Sequence, residues 1–192
     1  MNPKVKNLTF SQTLGEAAYH TDTQYFSAPE EMFGLWCLQP DKNGDGVSGL
    51  VDGRYIVEEL SKTNEGRQML ATLMHTEFPF RVPSVFTASG TDDTVEVFMA
   101  PILSEEPFIR YRRETLDKGV AATGKQLEPN QLEAINHLDK QLFKDGVAYS
   151  FLIKSEEVAF ANNYELLHSR SDFQDPERHL IRVRMNKHSE TR

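Results

Sequence analysis

Three side chains of this sequence have the types and spacing of a metal centre. His20 and Asp22 are separated by one residue, and on an extended chain residues i and i+2 point to the same side. Two such ligands can meet one ion, and a third from a distant segment would complete one face of an octahedron. Three positions would stay open, which is the two-histidine, one-carboxylate arrangement of non-haem Fe(II) oxygenases.

His168 is the candidate third ligand, within the segment 160–170. Each part of this set also has a plainer explanation. The stretch around His20 and Asp22 is compatible with an exposed capping turn, and His168 with a histidine satisfied by a backbone partner at a strand end. A short His-x-Asp motif by itself carries little information, because it arises by chance in many proteins.

A basic strand is predicted ten residues after His168. Arg178, Arg182 and Arg184 would share one face of this strand with Leu180. Such a row is compatible with a solvated edge strand. It is also compatible with an anion site, because arginine holds a carboxylate through two parallel, charge-assisted hydrogen bonds.

The elements that must position these residues are predicted to be mostly β-strands with helices outside them, as in a sandwich or barrel. Phe33 and Trp36 are expected in the core. Helical periodicity predicts two short helices within Gly53–His75 and one over Pro129–Lys144. Alternation and composition predict strands at Met32–Gln39, Val47–Val51, Phe78–Val82, Thr94–Ile102, Phe108–Arg113, Ala148–Ile153, Glu157–Ala161 and His179–Met185.

Composition limits the classes of protein. The 192 residues contain no convincing linker, so a single domain over 1–192 is expected, and the net charge of −8 argues against a nucleic-acid partner. Cys37 is the one cysteine, which excludes an internal disulfide and a Cys-only zinc site. Met1–Phe10 lacks the apolar core of a signal peptide and no apolar run could span a bilayer, so a cytoplasmic protein without a membrane partner is expected.

Four blocks of the chain, in order, resemble the taurine dioxygenase (TauD/TfdA) and clavaminate synthase-like family of Fe(II)/2-oxoglutarate-dependent oxygenases. The resemblance covers most of the chain. The blocks are Leu14–Asp22, Gly34–Pro40 together with Asp45–Gly53, Ser150–Arg170, and Arg178–Leu180.

The resemblance implies a double-stranded β-helix (jelly-roll) enzyme that binds Fe(II), 2-oxoglutarate and O2, oxidises a small organic substrate and releases succinate and carbon dioxide. By this resemblance His20, Asp22 and His168 would hold the iron. Arg178 and Ser48 would bind the distal carboxylate of 2-oxoglutarate. A second family arginine that often faces the substrate matches Arg182. The carboxylate of Asp22 favours hydroxylation, desaturation or cyclisation over halogenation.

The chain departs from the family pattern at its beginning. Only nineteen residues precede His20, whereas family members usually place some eighty or more there, which normally supply outer strands, helices and part of the substrate pocket. A missing outer layer would leave apolar surface that a partner subunit could cover, so a homo-oligomer is one expectation.

Two other functions stay open at this point. Asp41–Asp52 fits an EF-hand calcium loop, with oxygen ligands at positions 1, 3, 5, 9 and 12 and glycine at position 6. The preceding segment reads as a strand, however, and the same residues favour a hairpin turn. The third interpretation is a catalytically inactive jelly roll that acts as an interaction module.

Overall fold

The computed structural model describes residues 14–87 and 95–186, which contain nine β-strands and four α-helices. The strands are β1 (Ala17–His20), β2 (Met32–Gln39), β3 (Ser48–Asp52), β4 (Phe78–Arg81), β5 (Val97–Ala100), β6 (Tyr149–Phe151), β7 (Val158–Asn162), β8 (Leu166–Arg170) and β9 (His179–Met185). The helices are α1 (Gly53–Ser61), α2 (Asn64–His75), α3 (Arg113–Thr123) and α4 (Pro129–Leu142).

The described strands form three antiparallel sheets. One sheet has the order β1-β8-β3-β6, a second has the order β7-β2-β9, and β4 pairs with β5. The prediction of a mainly β chain with accompanying helices is confirmed at this level. The candidate ligands and arginines lie on β1, β8 and β9 or within two residues of them, so both larger sheets contribute to the site.

The four helices contribute many side chains to the hydrophobic core. The α1, α2 and α4 helices pack on one another, and α3 packs on β4. The largest fully buried side chains include Ile56 of α1, Leu73 of α2 and Leu138 of α4. The helix starts follow local rules: Asp52 caps α1 by accepting from the amide of Arg54, and Pro129 occupies the first turn of α4.

Two sequence predictions about the fold are wrong. Phe108–Arg113 forms only isolated bridges instead of a strand, and Arg113 begins the unpredicted helix α3. The helix was missed because its apolar side is narrow: Leu116 is its one large buried apolar side chain. Trp36 is 39% exposed instead of lying in the core, whereas Phe33 is buried as expected.

The remaining strand predictions differ from the structure mainly at their ends. The predicted strand Thr94–Ile102 begins outside the described residues, and the structure assigns Val97–Ala100 to β5. The expectation about Met1–Phe10 also lies outside them. Among the helices of the described ranges, none combines the length and the apolar character needed to cross a membrane.

Candidate iron and 2-oxoglutarate site

Two neighbouring strands bring the two candidate histidines together. His20 ends β1 and His168 lies in the middle of β8, and the antiparallel register makes them direct partners. Direct partners on one face of a sheet hold their side chains within contact distance, and the two imidazole rings lie 4.2 Å apart. A single strand pairing thus brings together two histidines that are 148 positions apart in the sequence.

Asp22 completes the cluster from the turn after β1. Its Oδ1 lies 3.7 Å from Nε2 of His20 and 3.7 Å from Nε2 of His168. One ligand atom from each of the three residues lies within 4.8 Å of the others, and all three side chains are buried. The spacing is that of three donors around a single ion, each about 2 Å from its centre.

The hydrogen bonds around the imidazoles direct Nε2 of each ring to the cluster. Nδ1 of His20 donates to the carbonyl of Ala18 at 2.7 Å, which fixes the neutral tautomer whose Nε2 carries a free lone pair. Neither ring nitrogen of His168 has a hydrogen-bond partner within the described residues. A buried imidazole without partners is costly, and a metal ion would supply the missing interaction.

Burial and neighbouring charges set the protonation of the three groups for metal binding. Burial lowers the pKa of His20 and of His168, so both rings are neutral at pH 7. Burial alone would raise the pKa of Asp22, but its interactions with the His168 ring and with the guanidinium of Arg182 outweigh burial and hold the pKa well below its usual value. Neutral imidazoles and an ionised carboxylate are the forms that coordinate metals.

Asn163 holds the Asp22 turn through the main chain. Its side-chain oxygen accepts from the amide of Asp22 at 2.6 Å, and its amide group donates to the carbonyls of Asp22 at 3.2 Å and Glu30 at 2.8 Å. Asn163 is 1% exposed. The next residue, Thr23, adopts a φ of 47°, a strained conformation for a β-branched residue. The turn that presents Asp22 is therefore held in place by a residue from the β7–β8 connection.

Arg178 occupies a narrow recess beside the cluster. A Cβ at Gly46, which has a φ of +71°, would lie 2.7 Å from Nε of Arg178, so only glycine leaves room for the guanidinium here. The guanidinium carbon lies 4.6 Å from the ring centre of Phe173. Burial lowers the pKa of Arg178, yet a guanidinium stays charged in proteins, so the recess presents a partly desolvated cation.

Arg182 is paired with the candidate ligand Asp22. Its Nη1 lies 2.9 Å from Oδ1 and 2.8 Å from Oδ2 of Asp22. The guanidinium carbon also lies 5.1 Å from the ring centre of Phe33. The pairing orients the carboxylate and places a positive charge at the edge of the site.

All six residues selected from the sequence line one cavity of about 520 Å³. They are His20, Asp22, Ser48, His168, Arg178 and Arg182. The volume falls in the range of small-molecule sites. The wall also contains Tyr25 and Phe86, and the charged residues Arg112 and Glu114, whose side chains lie 3.5 Å apart.

The Asp41–Asp52 loop is built as a turn whose first and last carboxylates already accept hydrogen bonds. Asp41 accepts hydrogen bonds from the amides of Asn43, Asp45 and Asp175. Asp52 is the N-cap of α1, and the segment that enters the loop is β2 instead of a helix. Within residues 14–87 and 95–186, no three His, Cys, Asp or Glu side chains converge at this loop, so the geometry gives the calcium interpretation no support.

The sequence alone did not reveal Asn163 or the cavity walls formed by Tyr25 and Phe86. Asn163 acts on a residue 141 positions away, and its only local signal is a turn-forming Asn-Asn pair. The walls come from segments that carry no motif.

Comparison with known proteins decides the family. The model of the taurine catabolism dioxygenase TauD, TfdA family matches residues 2–184. This chain belongs to that family. The resemblance noted in the sequence is thereby confirmed. No curated protein sequence matches the chain.

Solved structures of iron-dependent oxygenases share the fold at low sequence identity. An asparagine oxygenase in complex with Fe(II), 2S,3S-3-hydroxyasparagine and succinate has a TM-score of 0.68 and 17% identity over 90% of this chain and 50% of its own. The non-heme iron oxygenase OrfP, in complex with Fe, has a TM-score of 0.62 and 15% identity over 89% and 51%. PvcB, an Fe, alpha-ketoglutarate dependent oxygenase from an isonitrile synthetic pathway, has a TM-score of 0.57 and 19% identity over 88% and 57%. The chain thus spans about half the length of the similar structures.

Proposed function

We propose that this TauD/TfdA-family chain is an Fe(II)- and 2-oxoglutarate-dependent dioxygenase that oxidises a small organic substrate. The observation that carries the proposal is the buried convergence of His20, Asp22 and His168 beside the recessed guanidinium of Arg178. An interaction module has no need for a buried, unpartnered imidazole next to an ionised carboxylate. We also propose that the two larger sheets are the two layers of a jelly roll formed by one domain over residues 1–192.

The donor set fits the group that the family implies. Two neutral imidazoles and one carboxylate form the facial set that suits non-haem Fe(II) and leaves positions for other ligands. With 2-oxoglutarate and O2, such an iron centre supplies the oxidising power to attack an unactivated C–H bond, while the co-substrate becomes succinate and carbon dioxide.

The protein groups would have separate tasks in this reaction. Arg178 would pair with the distal carboxylate of 2-oxoglutarate, which needs a cation in so buried a recess, and Ser48 would donate its hydroxyl to the same group. Asn163 and Arg182 would hold the Asp22 carboxylate in its ligating orientation. The apolar walls of the cavity would exclude water from the reacting groups.

A small substrate with an anionic group suits the rest of the cavity. Apart from the candidate ligand Asp22, the lining has one carboxylate, Glu114, and several cations, among them Arg112 and Arg182, so a carboxylate or an amino acid could be held by opposite charges. Two of the similar structures are complexes with hydroxylated amino acids, 3-hydroxyasparagine in the asparagine oxygenase and (3S)-hydroxy-L-Arg in OrfP. These similarities support amino acids and related acids as the first substrates to test.

Anaerobic titration tests the proposed centre directly. Addition of Fe(II) and 2-oxoglutarate to the protein is expected to produce the weak visible charge-transfer band of the chelate. The substitution His168→Ala removes one donor and should abolish the band. Turnover is then measured as succinate release during a screen of amino acids and related acids.

His75→Ala provides the matched control, because His75 lies exposed on α2 far from the cavity. This variant should keep both the band and the turnover. A parent protein that shows no band at saturating Fe(II) and 2-oxoglutarate, or a His168→Ala variant that keeps it, would contradict the proposal.

A further inference from the structure

The outer face of the sheet β7-β2-β9 is apolar and exposed. Alternation places Met32, Gly34 and Trp36 of β2 on the side opposite to the cavity, which is lined from the same sheet by Leu35, Leu180 and Arg182. The register sets these three residues beside three positions of each neighbouring strand. We call the nine positions the outer grid: Met32, Gly34, Trp36, Val158, Phe160, Asn162, Ile181, Val183 and Met185.

The outer grid contains no charged side chain, and Asn162 is its only polar member. Six of its residues are large, apolar and at least 37% exposed, with Phe160 at 61%. Gly34 sits at the centre of the grid, where a Cβ would lie 2.9 Å from the ring of Phe160. The missing side chain lets this ring lie across the strand, so the surface is continuous and flat.

The exposed area is large enough for a stable interface. The six side chains expose on the order of 500 Å² per chain, which is near the upper limit for a patch on a monomer. Two such faces packed together would remove about 1,000 Å² from water before any rim contact, the area that a specific interface needs.

The apolar composition of the grid favours another apolar protein surface over an anionic membrane or a polar partner. The chain has a net charge of −8, and Glu156 and Glu157 stand exposed just before β7. Anionic lipid surfaces would repel such a rim. A charge-free, aromatic and methionine-rich core is typical of homodimer interfaces, which are more apolar than transient ones.

We propose that the outer grid is a homodimer interface in which the β7-β2-β9 sheets of two copies pack face to face. Face-to-face sheets pack about 10 Å apart through interleaved side chains. A two-fold axis near Gly34 would place the outer grid of one copy against the outer grid of the other. The proposal is independent of the oxygenase assignment, since it uses only residues that face away from the cavity.

Trp36 reports directly on this interface, because it is the only tryptophan of the chain and lies on the grid. Sedimentation velocity should show a species of twice the 21.9 kDa chain mass at micromolar concentration. On dilution below the dissociation constant, the fluorescence emission of Trp36 should shift to longer wavelength. Its indole should also be quenched more strongly by acrylamide.

Phe160→Glu should raise the dimer dissociation constant about 100-fold or more, because it forces two buried carboxylates into an apolar contact. Val183→Lys is a second variant with the same expected result, and the circular dichroism of each shows whether it is folded. Tyr149→Glu, at an exposed position of β6 in the other sheet, is the matched control and should remain dimeric.

Three results would overturn the proposal. The first is a folded parent protein that stays monomeric throughout the concentration range. If Trp36 is shielded in that monomer, the outer grid would be covered by residues 1–13 or 187–192 instead of by a second copy. The second is a dimer that survives both Phe160→Glu and Val183→Lys. The third is binding of neutral or anionic phospholipid vesicles by a monomer, abolished by Phe160→Glu, which would make the grid a lipid-binding surface.

Discussion

At the scale of single residues, the site depends on groups that hold the ligands as much as on the ligands themselves. Arg182 holds the side-chain carboxylate of Asp22, and Asn163 holds its backbone amide and carbonyl. Outer contacts of this kind typically account for a factor of about 10 to 100 in metal affinity. The consequence is that a residue with no donor atom directed at the ion should still control iron binding.

Asn163→Ala tests this positioning role. The substitution leaves the amide and carbonyl of Asp22 without their buried partners, so the Fe(II) dissociation constant should rise by about 10-fold or more. Anaerobic metal titration measures it, with the free energy of unfolding followed in parallel.

Asn162→Ala is the matched control for Asn163→Ala. Asn162 is the last residue of β7, and its side-chain oxygen accepts from the amide of Tyr164 at 3.0 Å. Within the described residues it makes no hydrogen bond to Asp22. Equal loss of iron affinity in both variants would show that the effect comes from damage to the turn and not from the clamp on Asp22.

Arg178→Gln separates co-substrate binding from iron binding. Loss of the recessed charge should raise the 2-oxoglutarate concentration needed for half-maximal activity at least about tenfold, since a charge-assisted pair in a buried recess is lost. The iron affinity should stay near that of the parent.

Arg54→Gln is the control for Arg178→Gln, because it removes an exposed arginine that is paired with Glu165. It should change neither the iron affinity nor the 2-oxoglutarate requirement. If Arg178→Gln lowers the iron affinity along with 2-oxoglutarate binding, the assigned role of Arg178 is wrong.

At the scale of elements, close packing of α3 on β4 forms one wall of the molecule. A Cβ at Gly119 would lie 2.1 Å from the carbonyl oxygen of Pro79, so helix and strand approach more closely than any side chain allows. In an exposed helix, alanine is favoured over glycine by about 1 kcal/mol, and here the packing reverses that preference.

Gly119→Ala is therefore expected to lower the free energy of unfolding, by about 2 kcal/mol. Urea denaturation measures the change. Gly15→Ala serves as the control, because a Cβ there meets nothing within 4 Å, and its free energy of unfolding should stay within about 0.5 kcal/mol of the parent. An unchanged or increased stability of Gly119→Ala would contradict the close approach of α3 and β4.

The sequence predicted elements well where a regular pattern was present and poorly where it was absent. The β9 strand over His179–Met185 matches its prediction in full, because its residues alternate between two environments. The β1 and β8 strands do not alternate in this way, since each turns a polar ligand into the interior. Alternation therefore predicted neither strand, although the chemistry of the site depends on their pairing.

At the scale of the whole molecule, the two faces of one sheet have opposite characters. The inner face of β9 carries Arg182 to the cavity, while Ile181 and Val183 of the same strand face outwards. The sequence predicted the arginine face, because charged residues at every second position are visible in the letters. It placed Trp36 in the core, because an apolar strand has the same sequence whether its second face meets a helix, another chain or water.

The position of β1 ties iron to the architecture of the chain. This strand has four residues, lies at the edge of its sheet and pairs there with β8, yet it carries His20 and leads directly into Asp22. An ion bound by His20, Asp22 and His168 would cross-link β1 to β8. Its binding free energy would then stabilise the pairing of β1 with the sheet. Chelators would then do more than stop turnover, since removing the ion would also free the first strand to separate from its neighbour.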